Sequence, residues 1–107
     1  MRILGFEWDR VNRAKLESHD LDAESVEDLF EAGEPLVFGH PSNPRRWIAL
    51  GFVPAGRFVL VVFEHDRETC WVRVVTAYEP TSEKWWKQYD RIRARRSAPT
   101  RRRKPRS

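Results

Sequence analysis

Cysteine occurs once, at Cys70, in a chain of 107 residues. No intrachain disulfide can form, zinc sites built from several thiolates are excluded, and a reducing compartment is expected. The three histidines, His19, His40 and His65, have no HxxxH-type spacing, so neither a metal nor a cofactor is expected. Glycine-rich phosphate loops, serine-nucleophile elbows and dinucleotide fingerprints are missing too. Long apolar runs are absent: the longest, Phe58 to Phe63, has six residues, where a membrane-spanning helix needs about 20. The start, Met1 to Glu7, is too short in apolar residues for a secretory signal, and a cytosolic protein is expected. The length argues for one domain, and a chain of this size buries roughly 65% of its unfolded surface, enough for one core without staples.

Charge is plentiful and unevenly placed. Residues 91–107 hold nine basic side chains and no acidic one, giving +9, while residues 1–90 sum to −5. Most of that negative charge lies in residues 1–34, with ten acids against four bases. The segment 97–107, Pro-interrupted and arginine-rich, cannot bury apolar area and is expected to be a disordered basic tail. Nucleic acid is its obvious partner.

The periodicity changes once along the chain. Asp9 is placed to cap a helix over about Arg10 to Ser18, with Val11, Ala14, Lys15, Leu16 and Ser18 at helical spacing. Asp22 caps a second, with Ala23, Val26, Leu29 and Phe30 as its apolar face and Gly33 as its stop. From Pro35 the spacing is strand-like: Leu36 to Phe38, Arg46 to Val53, Arg57 to Glu64 and Cys70 to Tyr78, joined by short turns, predict a four-stranded antiparallel meander. Thr81 or Ser82 then caps a last helix reaching about Arg96, whose stripe Trp85, Tyr89 and Ile92 docks on the sheet. The fold class is α+β, with the domain spanning 1–96.

The register of the middle hairpin has a functional consequence. With Pro54 and Ala55 as a two-residue loop, Phe52 opposes Arg57 and Arg46 opposes Phe63. Arg46, Arg57, Arg73 and Trp71 then share one face, opposite a core face of Phe58, Leu60, Val62, Val72 and Val74.

Particular residues carry a resemblance. Phe6-Glu7-Trp8-Asp9, then Asn12 and Lys15, Ser18-His19, and Glu24 to Phe30 resemble the N-terminal motif of BrnT-like toxins, small ribonucleases of the RelE superfamily. Arg46 to Gly51, the Gly56-Arg57 hairpin, Phe58 to Phe63 and Val72 to Tyr78 look like that family's sheet, and Glu83 and Tyr89 match its last helix. The resemblance covers about residues 5 to 92. Asp20 stands where the family commonly has glycine, and Tyr78 where it commonly has arginine. The resemblance implies the toxin of a type II toxin–antitoxin pair, cutting RNA, including ribosome-associated mRNA, without a metal and silenced by a cognate antitoxin. It also implies Arg46, Arg57, Arg73 and Tyr89 as site residues.

Metal-free RNA cleavage requires attack of the ribose 2′-hydroxyl on the adjacent phosphate, leaving a 2′,3′-cyclic phosphate. Arginine forks neutralise the charge that builds on phosphorus, and other groups must accept and donate protons. Arg46, Arg57 and Arg73 are the phosphate clamps, Glu64 or His65 the base, and Tyr89 an acid or the group that orients the base. Trp71 is a candidate for stacking a base, and Lys84, Lys87, Arg91 and Arg95, outward on the last helix, for binding RNA. Two other readings stay open: a non-catalytic nucleic-acid-binding module, and an interaction protein whose acidic first 34 residues bind a basic chain.

Overall fold

The computed structural model describes residues 1–96; the basic tail 97–107 lies outside the described residues. The element order is β1 (Gly5–Glu7), α1 (Arg10–Glu17), α2 (Ala23–Ala32), β2 (Leu36–Gly39), β3 (Trp47–Phe52), β4 (Phe58–His65), β5 (Trp71–Tyr78) and α3 (Glu83–Arg96). The class is α+β, but the expected four-stranded antiparallel meander is corrected to a five-stranded mixed sheet in the order β1-β5-β4-β3-β2. The added strand, β1, runs parallel to β5, pairing Gly5 with Trp71 and Glu7 with Arg73. Three residues are too few to display the alternation by which strands are read.

Both faces of the sheet are apolar and both are covered. Ala49, Val59, Val61 and Phe63 pack under Leu16 of α1 and Val26 and Leu29 of α2. Ile48, Leu50, Leu60 and Val62 pack under Tyr89, with Trp85 and Ile92 of α3 beside them. β4 is therefore central, which explains its unbroken apolar run.

The hairpin register differs by one residue from the expected one. Phe52 pairs with Phe58, Leu50 with Leu60 and Trp47 with Phe63. Val53 N–H donates to the Arg57 carbonyl at 3.0 Å, and Gly56 N–H to the Val53 carbonyl at 2.8 Å. The loop is thus Pro54–Ala55–Gly56, and Gly56 supplies the positive φ of 90° that the tighter two-residue reading had no place for. A second irregularity lies between Val62 and Phe63, which pair with Thr76 and Val74 and leave Val75 unmatched on β5. This shift puts Val72 and Val74 on the α1–α2 face with Ala77, not with Phe58, Leu60 and Val62 as expected.

One polar side chain is buried among the described residues: Asn12, 2% exposed. It closes a capping box with Asp9 at the start of α1, accepting from Asp9 N–H at 2.8 Å while its own N–H donates to the Asp9 carboxylate at 2.9 Å. Its side-chain amide donates to the Glu7 carbonyl at 2.9 Å and the Val74 carbonyl at 3.1 Å. Where β1 ends, Asn12 supplies the hydrogen bond that β5 still lacks. α1 buries Asn12 and Leu16, while Val11, expected on the apolar face, is 63% exposed.

Asn12→Leu orphans two carbonyls, and each orphaned group costs about 1 to 3 kcal/mol. Chemical denaturation should register a loss of at least about 2 kcal/mol, and limited proteolysis should cut near β1 sooner than in the wild type. Unchanged stability would show that the bond to Val74 carries no weight.

Candidate nucleic-acid interface

Because the register moves by one, Arg46 lies one step beyond the Trp47–Phe63 pair, level with Glu64. Its Nε is 3.5 Å from the Glu64 carboxylate. Glu64 is in turn the cross-strand partner of Arg73, on the sheet face that α3 covers at its other end. Arg73 reaches the β1–α1 junction, 2.8 Å from Asp9 and 3.9 Å from Glu7. The arrangement is a row, arginine–glutamate–arginine, from the residue just before β3 across the end of β4 to the start of β5.

Charge in this row is strongly coupled at one end. The Asp9 carboxyl is held below the usual carboxylate range by the N–H of Asn12 first and by Arg73 second. Arg73 is pushed further up, chiefly by its hydrogen bond to Asp9, with smaller contributions from Glu7 and Glu64. A recess of about 230 Å³ opens over the row, lined by Val11, Asn12, Lys15, Arg46, Glu64, Arg73, Val74 and Val75. Three cations and one carboxylate thus face a small open volume. A wider recess of about 610 Å³ meets the first at Glu64 and adds Arg45 and Arg67, with Trp47 and His65 between them.

Two of the expected catalytic residues, Arg57 and Tyr89, lie away from the row. Arg57, at the start of β4, is seven residues from Glu64, roughly 23 Å along an extended strand. Sharing a face, as the expected register had it, never placed it near Arg46, and the true register puts it on the opposite face. There it bonds the carbonyls of His19, at 3.0 Å, and of Asp20, and pairs with Glu79 at 2.8 Å. It ties the α1–α2 loop, where Asp20 has φ 59°, to the sheet. Tyr89 is 7% exposed and packs against Phe52, Phe58 and Trp86 at the far end of the hairpin. His65, the cross-strand partner of Val72, lines two recesses together with Glu64, but its Nε2 is already engaged, donating to the Arg2 carbonyl at 2.7 Å.

The helix cations stand apart. Lys84 lies over the Trp85 ring at 5.0 Å and Lys87 pairs with Glu83 at 3.4 Å, while Arg91 and Arg95 are exposed on α3. Trp71 stays with the row, half exposed, two residues before Arg73. Cys70 is only partly buried and has φ 62°. Lys15, Glu7 and Asp9 were passed over as site residues although the signal was present: Glu7, Asp9, Asn12 and Lys15 are the polar positions of the N-terminal motif.

No protein-family model matches the chain, and no curated protein matches it. Among the described residues, no helix is long and apolar enough to cross a membrane.

Asp9 and Asp22, the latter held down by the N–H and side chain of Ser25, both have lowered pKa values. Each therefore contributes stability that is complete above roughly pH 5 and is lost as pH falls through its depressed value, below the usual value of about 4. Denaturation midpoints measured from pH 7 to 2.5 should fall along this limb, and Asp9→Asn should flatten it. A limb unchanged by Asp9→Asn would remove the coupling described here.

Proposed function

We propose that this protein is a metal-independent endoribonuclease acting as the toxin of a toxin–antitoxin pair, with its site at the Arg46–Glu64–Arg73 row. The observation that carries the reading is the row itself, with Lys15 above it. Arg46 and Arg73 flank a single carboxylate at the spacing of neighbouring strands, about 4.8 Å per step. In the reaction the two guanidinium groups hold the scissile phosphate and take up the charge of the five-coordinate phosphorus. Glu64, released from Arg46 as the phosphate replaces it, accepts the proton of the 2′-hydroxyl, and Lys15 donates one to the leaving 5′ oxygen. The chain ends as a 2′,3′-cyclic phosphate and a 5′-hydroxyl. The exposed cations of α3 contribute sequence-independent attraction to RNA. A cognate antitoxin that silences such a site must cover it or displace its cations, and the expected place of action is the cytoplasm.

One observation favours a second reading, a nucleic-acid-binding module without catalysis. Both arginines already have carboxylate partners. Binding whose log-affinity falls steeply with log salt, without RNA cleavage, would support it.

Arg46→Ala and Arg73→Lys should each reduce cleavage by roughly 100-fold or more, the usual consequence of removing one charge-stabilising donor. Arg73→Lys retains a cation for Asp9, so folding is spared. Arg57→Lys and Tyr89→Phe, remote from the row, should retain cleavage within a few-fold. Growth arrest on induced expression, with total RNA mapped for new 5′-hydroxyl ends, is the readout. Arrest and ends persisting in both Arg46→Ala and Arg73→Lys would overturn the site.

A further inference from the structure

Next to the Arg46 recess lies another of about 300 Å³, with Glu64, His65 and Arg73 in its wall together with Trp71, Glu7, Asp66 and Thr69. The two differ in charge. Lys15, Arg46 and Arg73 against Glu64 make the first recess cationic. Three carboxylates against Arg73 and a histidine give the second less attraction for a phosphate, and Trp71 gives it an aromatic surface instead. Trp71 is 47% exposed, and its indole is seated on Gly5 of the neighbouring strand. A Cβ at Gly5 would come within 2.8 Å of Trp71 Cε2 and Cζ2, closer than carbon atoms pack. Gly5 thus lets the ring lie down over β1, and among the described residues no aromatic ring covers its other face. Trp71 and Arg73 are two apart on β5, on one face, roughly 7 Å along the strand, a separation of the order of one nucleotide in an extended single strand.

We infer that Trp71, seated on Gly5, is a stacking platform for one unpaired base of a single-stranded nucleic acid whose adjacent phosphate is held by Arg73 and Arg46. The inference rests on the ribonuclease reading only in sharing its phosphate site. It makes the ligand single-stranded, because a ring on a sheet surface can reach a base only when that base is out of a duplex stack. Exposure of nearly half a tryptophan also goes beyond what covering a glycine requires.

The test uses the full chain and two oligonucleotides of equal length and phosphate count: a mixed-sequence single strand with 2′-deoxy sugars, which cannot be cleaved by 2′-hydroxyl attack, and its fully abasic counterpart. Trp71→Ala should weaken the base-bearing strand about 5- to 150-fold, the range for loss of one base–aromatic stack, and leave the abasic strand unchanged. Trp71→Phe should recover most of the affinity, which a merely structural role for the indole would not predict. Gly5→Ala, which must lift the ring, should resemble Trp71→Ala. Arg73→Lys, which keeps the charge but loses the bidentate fork, should weaken both strands alike with little change in the salt slope. If wild type binds both strands and Trp71→Ala changes neither, or changes both equally, the platform is overturned while the phosphate site stands. If wild type binds neither strand at low salt, the nucleic-acid reading fails and the platform with it.

Discussion

The hydrogen bonds of Asn12 join the parts of this fold that sequence keeps furthest apart. One side chain caps α1 through Asp9, satisfies the last carbonyl of β1 and satisfies the Val74 carbonyl, 62 residues away. Removing the amide takes away the side-chain bonds that link the end of β1 and the start of α1 to β5. It also removes the acceptor of the Asp9 N–H, next to the carboxylate that anchors Arg73. A buried polar group is favourable only when its partners are complete, and here the complete set coincides with the point where helix, parallel strand and charged row converge. The stability of the edge and the geometry of the site are therefore one problem.

The rest of the fold follows from β4. Its apolar run is buried on both faces, so helices are needed above and below, and the chain provides them in order: α1 and α2 to one side, α3 to the other. Two helical layers cannot cover every residue of eight-residue strands, however. The strands emerge from beneath α3 at the β3 start and β4 end, and there the polar residues Arg46, Glu64 and Arg73 begin. The site lies where coverage stops, with carboxylates from β1 and α1 closing its flank.

Much of this was legible in the residues. Asp22 and Gly33 bound α2 because capping chemistry is local, and the Trp85–Tyr89–Ile92 stripe docks as its spacing requires. What sequence could not decide was non-local. Whether Pro54–Ala55 or Pro54–Ala55–Gly56 forms the hairpin loop is a difference of one residue, yet it exchanges the faces of every side chain on β4 relative to its neighbour. It separates Arg57 from the row and makes Glu64 the partner of Arg46. The bulge opposite Val62 then repeats the exchange on β5. β1 was invisible for a different reason: a parallel strand of three residues takes its stability from Asn12 and Phe6 packing, not from its own pattern. The site was legible as residue types, arginines with a carboxylate, before it was legible as a place.

The two arginines of the row are not equivalent. Arg46 and Glu64 are both more than a third exposed and 3.5 Å apart, and such a pair contributes roughly 0 to 1 kcal/mol. An incoming phosphate, able to accept two parallel N–H bonds from one guanidinium, displaces Glu64 from Arg46 at little cost. Arg73 is held at 2.8 Å by Asp9, whose carboxylate is itself fixed by the N–H of Asn12. Its orientation is set by Asp9, and Arg73 lines both recesses. One arginine is then a preset anchor and the other an exchangeable clamp, with Glu64 the group that changes partners between them. In the proposed reaction, the Arg46–Glu64 pair is weak enough to exchange, so the step that seats the phosphate also frees the carboxylate that acts as the base beside it.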